Sequence, residues 1–350
     1  KQEVCVDNTG RVTQDLGVTK KARAGEDVYL TIDLELQKNA YKTLERRIAD
    51  ILLENIINEK TFDKTAVNDA SEIKIPIYDV YTALLNNGLI DVSHFQEGDA
   101  SETEKTVHEA FRLRKEQDIA AIQKLLADGD AKYAQLDKEM QEYCSIIVND
   151  LDVIDNERSE KDSDIQESWE KGELSVREYF RSAIEENRIN SGIFDSEEKY
   201  LTTDEIYQLV SEYILNELQT NDEFGKLIYK YMVQEDEILP DEICMILYEQ
   251  GITKEDEDYK LWQQGGISAY ELIVRNIEKL EITPADLALD PCSGSAVVTD
   301  AKTGEVLACV SYPGYDSNRL ANQMDLEYYD RICSNAALPL YNRATQQLSA

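Results

Sequence analysis

A long central run of helix signals is the feature that most restricts how this chain folds. Ser101 and Thr202 each stand three residues before a glutamate, the spacing of a capping box that satisfies two backbone donors at a helix start. Thr283 precedes a proline, which suits the first position of a helix. Gly88 and Gly251 follow helical patterns and suit the left-handed position that ends a helix. These signals predict an almost entirely helical region over residues 55–290.

Before this region, short β-rich segments precede a helix. Residues 1–7 and 11–16 flank a turn sequence, which predicts a hairpin. Residues 28–32 form a further β-rich run that we interpret as a strand. Asp33 then suits the N-cap of a helix whose apolar spacing continues past Leu52.

A second β block follows the helical region. Residues 295–299 and 305–311 flank a turn at residues 300–304, where an aspartate and a glycine suit a tight hairpin connection. Both strands are apolar on both faces, which predicts a hairpin inside a covered sheet. The sequence therefore predicts an α+β fold, predominantly α, with short β blocks at both ends split by a large all-helical insertion.

One pattern occurs three times in the helical region. Residues 95–104, 169–178 and 262–271 each place an aromatic residue three positions before a glycine and six before a serine–glutamate capping box. Two explanations stay open, namely duplication of a segment and the recurrence of capping chemistry wherever helices start. The uneven spacing of 74 and then 93 residues argues against a regular solenoid.

Charge separates the helical region from its flanks. Residues 46–290 carry 25 basic and 57 acidic side chains, so they hold a net −32 of the chain's −35. Such a surface repels nucleic-acid phosphates and anionic lipid headgroups and attracts cations and basic proteins. Nucleic acid is therefore excluded as a partner.

The sequence predicts no metal or cofactor site. The six cysteines are dispersed without a C-x-x-C pair and only His94 and His108 are present, so zinc is not expected. Asp150, Asp152 and Asp155 fit the start of a calcium loop, but the glycine and glutamate that complete such a loop are missing. The chain has no glycine-rich phosphate loop, and no apolar run approaches the roughly 18 residues of a membrane span.

Two separated blocks carry a family resemblance. GEDVYLTIDLELQ over residues 25–37 resembles the stretch where class B penicillin-binding proteins, which are peptidoglycan D,D-transpeptidases, enter their transpeptidase domain. GSAVVTDAKTGEVLA over residues 294–308 resembles the first hairpin of that domain. Residues 311–318 and 342–344 continue the likeness in the family's order, and the helical middle resembles the enlarged versions found in clostridia-like bacteria.

The resemblance implies four parts. Residues 1–24 would be the end of the family's N-terminal pedestal domain, and residues 25–54 would begin the transpeptidase domain with a strand and a helix. Residues 55–290 would be an acidic helical insertion. Residues 291–350 would continue the transpeptidase domain, which stays incomplete.

The family's chemistry needs three motifs, S-x-x-K, S-x-N and K-T-G. Ser71 with Lys74 and Ser196 with Lys199 match the first motif, but neighbouring glutamates would raise the pKa of each lysine and weaken it as a base. Residues 302–304 match K-T-G but lie at a hairpin tip, and no S-x-N occurs. We therefore predict no catalytic, cofactor-binding or metal-binding residue in this chain, and we expect an S-x-x-K motif to follow Ala350 in the parent protein.

Two hypotheses of different classes follow. In the first, the chain is the non-catalytic part of a transpeptidase that cross-links cell-wall peptides through a serine acyl-enzyme. The resemblance then implies peptidoglycan stem peptides and β-lactams as ligands of the parent, which an N-terminal membrane helix outside this chain anchors on the extracytoplasmic face. The insertion would contact cell-division or elongation proteins. In the alternative, the chain is a non-enzymatic extracellular interaction module whose acidic helices dock partner proteins.

Overall fold

The computed structural model describes residues 2–6, 12–18, 25, 28–69, 72–155, 164–193, 201–321 and 323–347. The first elements are strands β1 (Gln2–Val6) and β2 (Val12–Val18), which pair antiparallel and confirm the predicted hairpin. The turn sequence predicted between them lies outside the described residues.

Helices dominate the described residues, which confirms the predominantly α prediction. The first helix, α1 (Leu34–Asn55), begins where Asp33 accepts a hydrogen bond from the Leu36 N–H at 2.9 Å, and it continues past Leu52 as expected. The helices of the middle region are α2 (Ile77–Asn86), α3 (Glu102–Asp128), α4 (Lys138–Asn149), α5 (Asp164–Glu170), α6 (Val176–Glu185), α7 (Thr203–Leu218), α8 (Asp222–Gln234), α9 (Pro240–Glu249), α10 (Glu257–Gln263), α11 (Ala269–Glu278) and α12 (Pro284–Leu287).

The helices of the middle region start and stop where local chemistry predicts. In the boxes at Ser101 and Thr202, the hydroxyl accepts from the backbone N–H three residues on, and the glutamate there accepts from the N–H of the cap. Thr283 caps α12 in the same way ahead of its first-turn proline. Gly88 and Gly251 follow α2 and α9 with φ of 75° and 67°, a left-handed conformation that glycine adopts without steric cost.

One apolar core holds the helical region together. It extends from Ala49 in α1 to Leu287 in α12 and draws buried side chains from most of the helices between them. Strands β3 (Ile56–Ile57) and β4 (Ile75–Pro76) pair in parallel within it. Because Ala49 and Leu52 are fully buried there, the core includes the second half of α1 and begins before residue 55.

The second hairpin pairs β5 (Gly294–Thr299) with β6 (Val306–Tyr312) in antiparallel register. Ala308, Val310 and Tyr312 are buried on the face that packs against α1. On the other face Val297 stays 51% exposed, so the expectation of a hairpin covered on both faces is wrong for this chain. The reason is that only two short helices, α13 (Leu326–Ser334) and α14 (Arg343–Gln346), follow among the described residues, and the second of them packs against the strands.

Residues 28–32 do not form the strand that their β-rich composition suggested. Val28, Tyr29 and Leu30 are largely exposed. The segment reaches the edge of β6 only at its end, where the Thr31 hydroxyl donates to the Val306 carbonyl and the Asp33 N–H donates to the Leu307 carbonyl. One backbone bond is too little to define a strand ladder.

The threefold pattern keeps its caps and anchors in all three copies. Each serine–glutamate pair forms a reciprocal capping box, and each aromatic side chain is buried. Gly172 and Gly265 adopt φ of 72° and 71°, and each donates its N–H to the carbonyl of the tryptophan three residues earlier. In the first copy, Phe95 instead lies in the 3₁₀ turn His94–Gln96, and Gly98 does not adopt a positive φ. The second and third copies therefore share one turn, from which the first copy differs.

Acidic side chains converge on one arginine at the edge of the core. Arg114 in α3 contacts four carboxylates, of which the Asp118 and Glu139 groups are the most buried. The Tyr143 hydroxyl donates to both of these. Burial raises the pKa of Asp118 to about 6, although Arg114 opposes the shift.

Candidate functional site

The two blocks that resemble the transpeptidase family come together in space, and this junction is the candidate site. Gln37 in α1 forms a two-point contact with the backbone of Cys309 in β6. Its amide N–H donates to the Cys309 carbonyl at 2.8 Å, and its amide oxygen accepts from the Cys309 N–H at 2.7 Å. The side chain thereby satisfies a strand edge that would otherwise be left unpaired.

Packing continues this junction along α1. The rings of Tyr41 and Tyr312 lie 5.4 Å apart in a tilted arrangement, and the Tyr41 hydroxyl accepts from the Gly314 N–H. Gly294 allows the strand to approach the helix, because a Cβ there would meet Leu44 and Ile48 at 3.2 and 3.3 Å. Residues 33–48 and 294–314 therefore form one packed unit.

The junction also touches the helical region. The Tyr312 hydroxyl accepts from the Ala285 N–H at 3.3 Å, at the start of α12. Burial raises the pKa of Glu45, which lies against that hydroxyl, and Asp286 nearby acts in the same direction. Arg46 donates to the Glu278 carbonyl at the end of α11. Tyr312 thus ties the hairpin to α12, and Arg46 ties α1 to α11.

The segment after β6 folds back onto it. The Ser311 hydroxyl accepts from the Arg343 N–H at 3.0 Å, and the Arg343 guanidinium donates to the carbonyls of Ala337, Leu338 and Tyr341. The arginine therefore organises the preceding loop and fixes α14 beside the hairpin.

Residues 316–318, which also belong to the part of the sequence that resembles the family, form hydrogen bonds that hold the local backbone. Asp316 accepts from both nitrogens of Asn318 and caps a short 3₁₀ turn. Its own N–H donates to the Tyr328 hydroxyl at 2.7 Å, which joins the turn to α13. The described polar residues of these motifs therefore position backbone and present no nucleophile paired with a base.

Of the residues that match catalytic motifs by letter, the structure describes Lys74 and residues 302–304. Lys74 donates to the Glu54 carbonyl and to the Asn55 side chain at the end of α1, whereas Ser71 lies outside the described residues. Ser196 and Lys199 also lie outside them. Residues 302–304 form the predicted turn of the second hairpin, in which Asp300 accepts from the N–H groups of Lys302 and Thr303 at 2.8 Å.

The residues weighed as a calcium loop serve a different contact. The Asp155 N–H donates to the Arg188 carbonyl, and Asn190 donates to the Val153 carbonyl. Ile154 and Ile189 form the β-bridge between the two segments. This stretch therefore joins the end of α4 to the end of α6.

Comparison with known proteins finds local similarity to peptidoglycan D,D-transpeptidases. The chain is 45% identical over 58 residues to the peptidoglycan D,D-transpeptidase MrdA of Haemophilus influenzae, a match that covers 17% of this chain and 9% of that protein. It is 40% identical over 60 residues to the peptidoglycan D,D-transpeptidase PbpA of Mycobacterium tuberculosis, covering 16% and 12%. The Escherichia coli MrdA match is 44% over 52 residues, covering 15% and 8%.

These similarities are local. The chain spans about a tenth of the length of the curated relatives that it matches. No protein-family model and no solved structure matches it. Among the described residues, no helix combines the length and apolar character needed to cross a bilayer.

Sequence reasoning missed the residues that join the two blocks. Gln37 and Cys309 are 272 positions apart, and nothing in either local sequence marks them as partners. The available signal was the resemblance itself, because both residues lie within or next to the matched blocks.

Proposed function

We propose that this chain is the non-catalytic part of a class B penicillin-binding peptidoglycan D,D-transpeptidase. The observation that carries the proposal is the joint packing of residues 33–48 with residues 294–314 across the whole helical region. An insertion into an existing domain leaves its two flanking pieces in contact in this way. The local similarity to three transpeptidases supports the same assignment.

In this proposal residues 1–24 end the pedestal domain, while residues 25–54 and 291–350 belong to the transpeptidase domain. Residues 55–290 are the acidic helical insertion. The buried cluster between Ala49 and Leu287 supports the insertion as a unit with its own core, although α1 is shared with the flanking domain.

In the parent protein, a serine would attack the carbonyl between the two D-alanines of a peptidoglycan stem peptide, form an acyl-enzyme and release the terminal D-alanine. The amine of a second peptide would then attack the ester and free the serine. A β-lactam would acylate the same serine by opening of its ring. The parent protein would act on the extracytoplasmic face of the membrane, where peptidoglycan is built. This chain contributes a hairpin and its supporting helix to that domain, and the nucleophile and lysine base come from elsewhere in the parent.

Covalent labelling with a fluorescent penicillin tests the proposal. The 350-residue chain is expected to stay unlabelled on denaturing gels, whereas the product of the complete reading frame is expected to give a band that survives denaturation. The Ser71→Ala chain is the control for the nearest S-x-x-K match. Labelling of the chain that this substitution abolishes, or a complete product that no penicillin labels, would contradict the proposal.

A further inference from the structure

The loop between α2 and α3 gathers an imidazole and carboxylates within a short distance. Phe95 is buried and fixes the 3₁₀ turn His94–Gln96. His94 and the residues after Phe95 therefore lie on the outer side of this turn. One ligand atom each from His94, Glu97 and Asp99 lies within 4.8 Å of the others. The loop ends at Ser101, the N-cap of α3.

A buried carboxylate outside this set holds the histidine ring. Glu104 lies 2.8 Å from His94 Nδ1, and its side chain is 2% exposed. The other groups bonded to this carboxylate are donors, namely the Ser101 N–H at 2.6 Å and the Gln250 amide at 2.8 Å. Glu104 therefore acts as an ionised acceptor, and His94 donates to it through Nδ1–H.

The hydrogen bond from Nδ1 to Glu104 determines which ring nitrogen of neutral His94 carries a lone pair. With Nδ1 protonated, the neutral ring presents a lone pair at Nε2, and Asp99 Oδ1 lies 3.6 Å from that nitrogen. A lone pair facing carboxylates is unfavourable, so this position takes either a second ring proton or a metal cation. The surrounding region carries a net −32, which favours a cation at this position.

We propose that His94, Glu97 and Asp99 bind one Zn²⁺ ion, with His94 as a ligand through Nε2 and Glu104 as the carboxylate that orients the ring. Histidines that bind a metal through one ring nitrogen commonly donate the N–H of the other ring nitrogen to such a carboxylate. In tetrahedral zinc sites, ligand atoms about 2.1 Å from the metal lie roughly 3.4 Å from one another, close to the His94–Asp99 separation. Glu97 and Asp99 are exposed, so their side chains are free to close on the ion.

The ligand set distinguishes zinc from the hard cations. Calcium takes about six to eight oxygen ligands, and magnesium is held by oxygens with several waters, whereas one imidazole and two carboxylates suit zinc with an open position for water. The sequence did not indicate this site, because a single histidine among glutamates and aspartates matches no zinc spacing pattern.

The test uses the whole chain, freed of metal with EDTA and alkylated at its accessible thiols, because Cys5 and Cys333 are exposed and thiolates are zinc ligands in general. With only two histidines, a long-range ¹H–¹⁵N spectrum resolves each ring. Adding ZnCl₂ is expected to shift the Nε2 resonance of His94 with one-to-one stoichiometry and to leave His108 unchanged.

Matched variants separate ligation from folding. His94→Ala and the double variant Glu97→Gln/Asp99→Asn are expected to abolish zinc uptake measured by calorimetry, and Glu104→Gln to weaken it about 10–100-fold. His108→Ala, which removes the other histidine, is expected to bind like the unaltered chain. Circular dichroism confirms that each variant is folded.

Three outcomes would overturn the site. The first is zinc uptake that persists in His94→Ala, and the second is saturation only at millimolar zinc, the behaviour of an adventitious ion only. The third is a His94 ring whose Nε2 remains protonated at neutral pH throughout the zinc titration, because a proton would then occupy the position assigned to the metal.

Discussion

The helical region (residues 55–290) and the hairpin unit (residues 33–48 packed with residues 294–314) bury their apolar side chains to very different extents. Among the described residues, the helical region exposes three large apolar side chains, Leu113, Leu239 and Leu261. The hairpin unit and the segments around it are much shorter but expose thirteen. Four of these, from Val28 to Leu34, precede or begin α1, and the others lie between Val297 and Tyr341.

The helical region therefore buries nearly all of its large apolar side chains within itself, whereas the segments around the hairpin present theirs at the surface. A region whose apolar side chains are already buried gains little from additional chain, whereas an exposed apolar surface of this size marks a surface made for contact. Four experiments test whether the two regions differ in this way.

The first experiment concerns the boundary between the regions. A fragment of residues 46–290 is expected to be largely α-helical and to melt cooperatively, because it keeps Ala49 and Leu52 in the core. A fragment of residues 55–290 is expected to lose about 4 kcal/mol or more of its free energy of unfolding, since removing one buried leucine side chain alone costs about 2–5 kcal/mol. Circular dichroism melts compare the two fragments. Equal stability would show that α1 is dispensable to the helical core.

The second experiment concerns charge, which is concentrated in the helical region. Because burial raises the pKa of Asp118 to about 6, the folded state holds this proton more tightly than the unfolded state does. The contribution of Asp118 to the free energy of unfolding is therefore expected to fall as pH rises from about 4 to about 6, by on the order of 2–3 kcal/mol, since one pKa unit corresponds to about 1.4 kcal/mol.

In urea unfolding, Asp118→Asn should remove this contribution, so that the difference in free energy of unfolding between the variant and the unaltered chain changes by that amount between about pH 4 and about pH 6. Glu116→Gln, on the same helix but exposed, is the control and should show no such change. A profile that rises over this interval in the unaltered chain and is unchanged in Asp118→Asn would show that Arg114 outweighs burial at this carboxylate.

The third experiment compares one residue type in both regions. Val80 in α2 is fully buried, whereas Val297 in β5 is 51% exposed. Val80→Ala is expected to lower the free energy of unfolding by about 1.5–3 kcal/mol. Val297→Ala is expected to cost less than about 0.5 kcal/mol in this chain. Denaturant unfolding measures both, and equal losses would mean that the outer face of the hairpin is covered in solution.

The fourth experiment concerns the contact between α1 and β6. Gln37→Leu leaves the N–H and carbonyl of Cys309 without their partners, which is expected to cost about 1–3 kcal/mol. Amide hydrogen exchange should accelerate at Cys309 and stay unchanged at Val80. Gln263→Leu, which removes one exposed side-chain bond, serves as the control. Unchanged exchange at Cys309 in the Gln37 variant would mean that the amide contact does not protect this edge.

Whether a structural contact could be predicted from the sequence depends on how far apart its residues lie along the chain. The caps at Ser101, Thr202 and Thr283 were predicted because donor and acceptor lie three residues apart. The turn at residues 300–304 was predicted for the same reason.

Contacts between distant residues could not be predicted in that way. The segment at residues 28–32 has β-rich composition, yet strand formation needs a partner along its length, and β6 offers only its end. The sharing of α1 by two regions was also missed, because the apolar spacing of the helix is continuous and does not show which neighbour each turn meets. The resemblance to transpeptidases supplied what periodicity could not, namely that the two blocks belong together.

Because α1 is one continuous helix, a rotation at one of its ends displaces the other end. At 1.5 Å per residue its 22 residues span about 33 Å, and the chain passes from the hairpin unit into the helical core without leaving the helix. A rotation of only about 5° at the core end would move the far end by about 3 Å, more than half the roughly 4.8 Å spacing of paired strands. A rotation of α1 against the acidic helices would therefore carry the hairpin with it, because Gln37 and Tyr41 fix β6 and the following loop to the same helix.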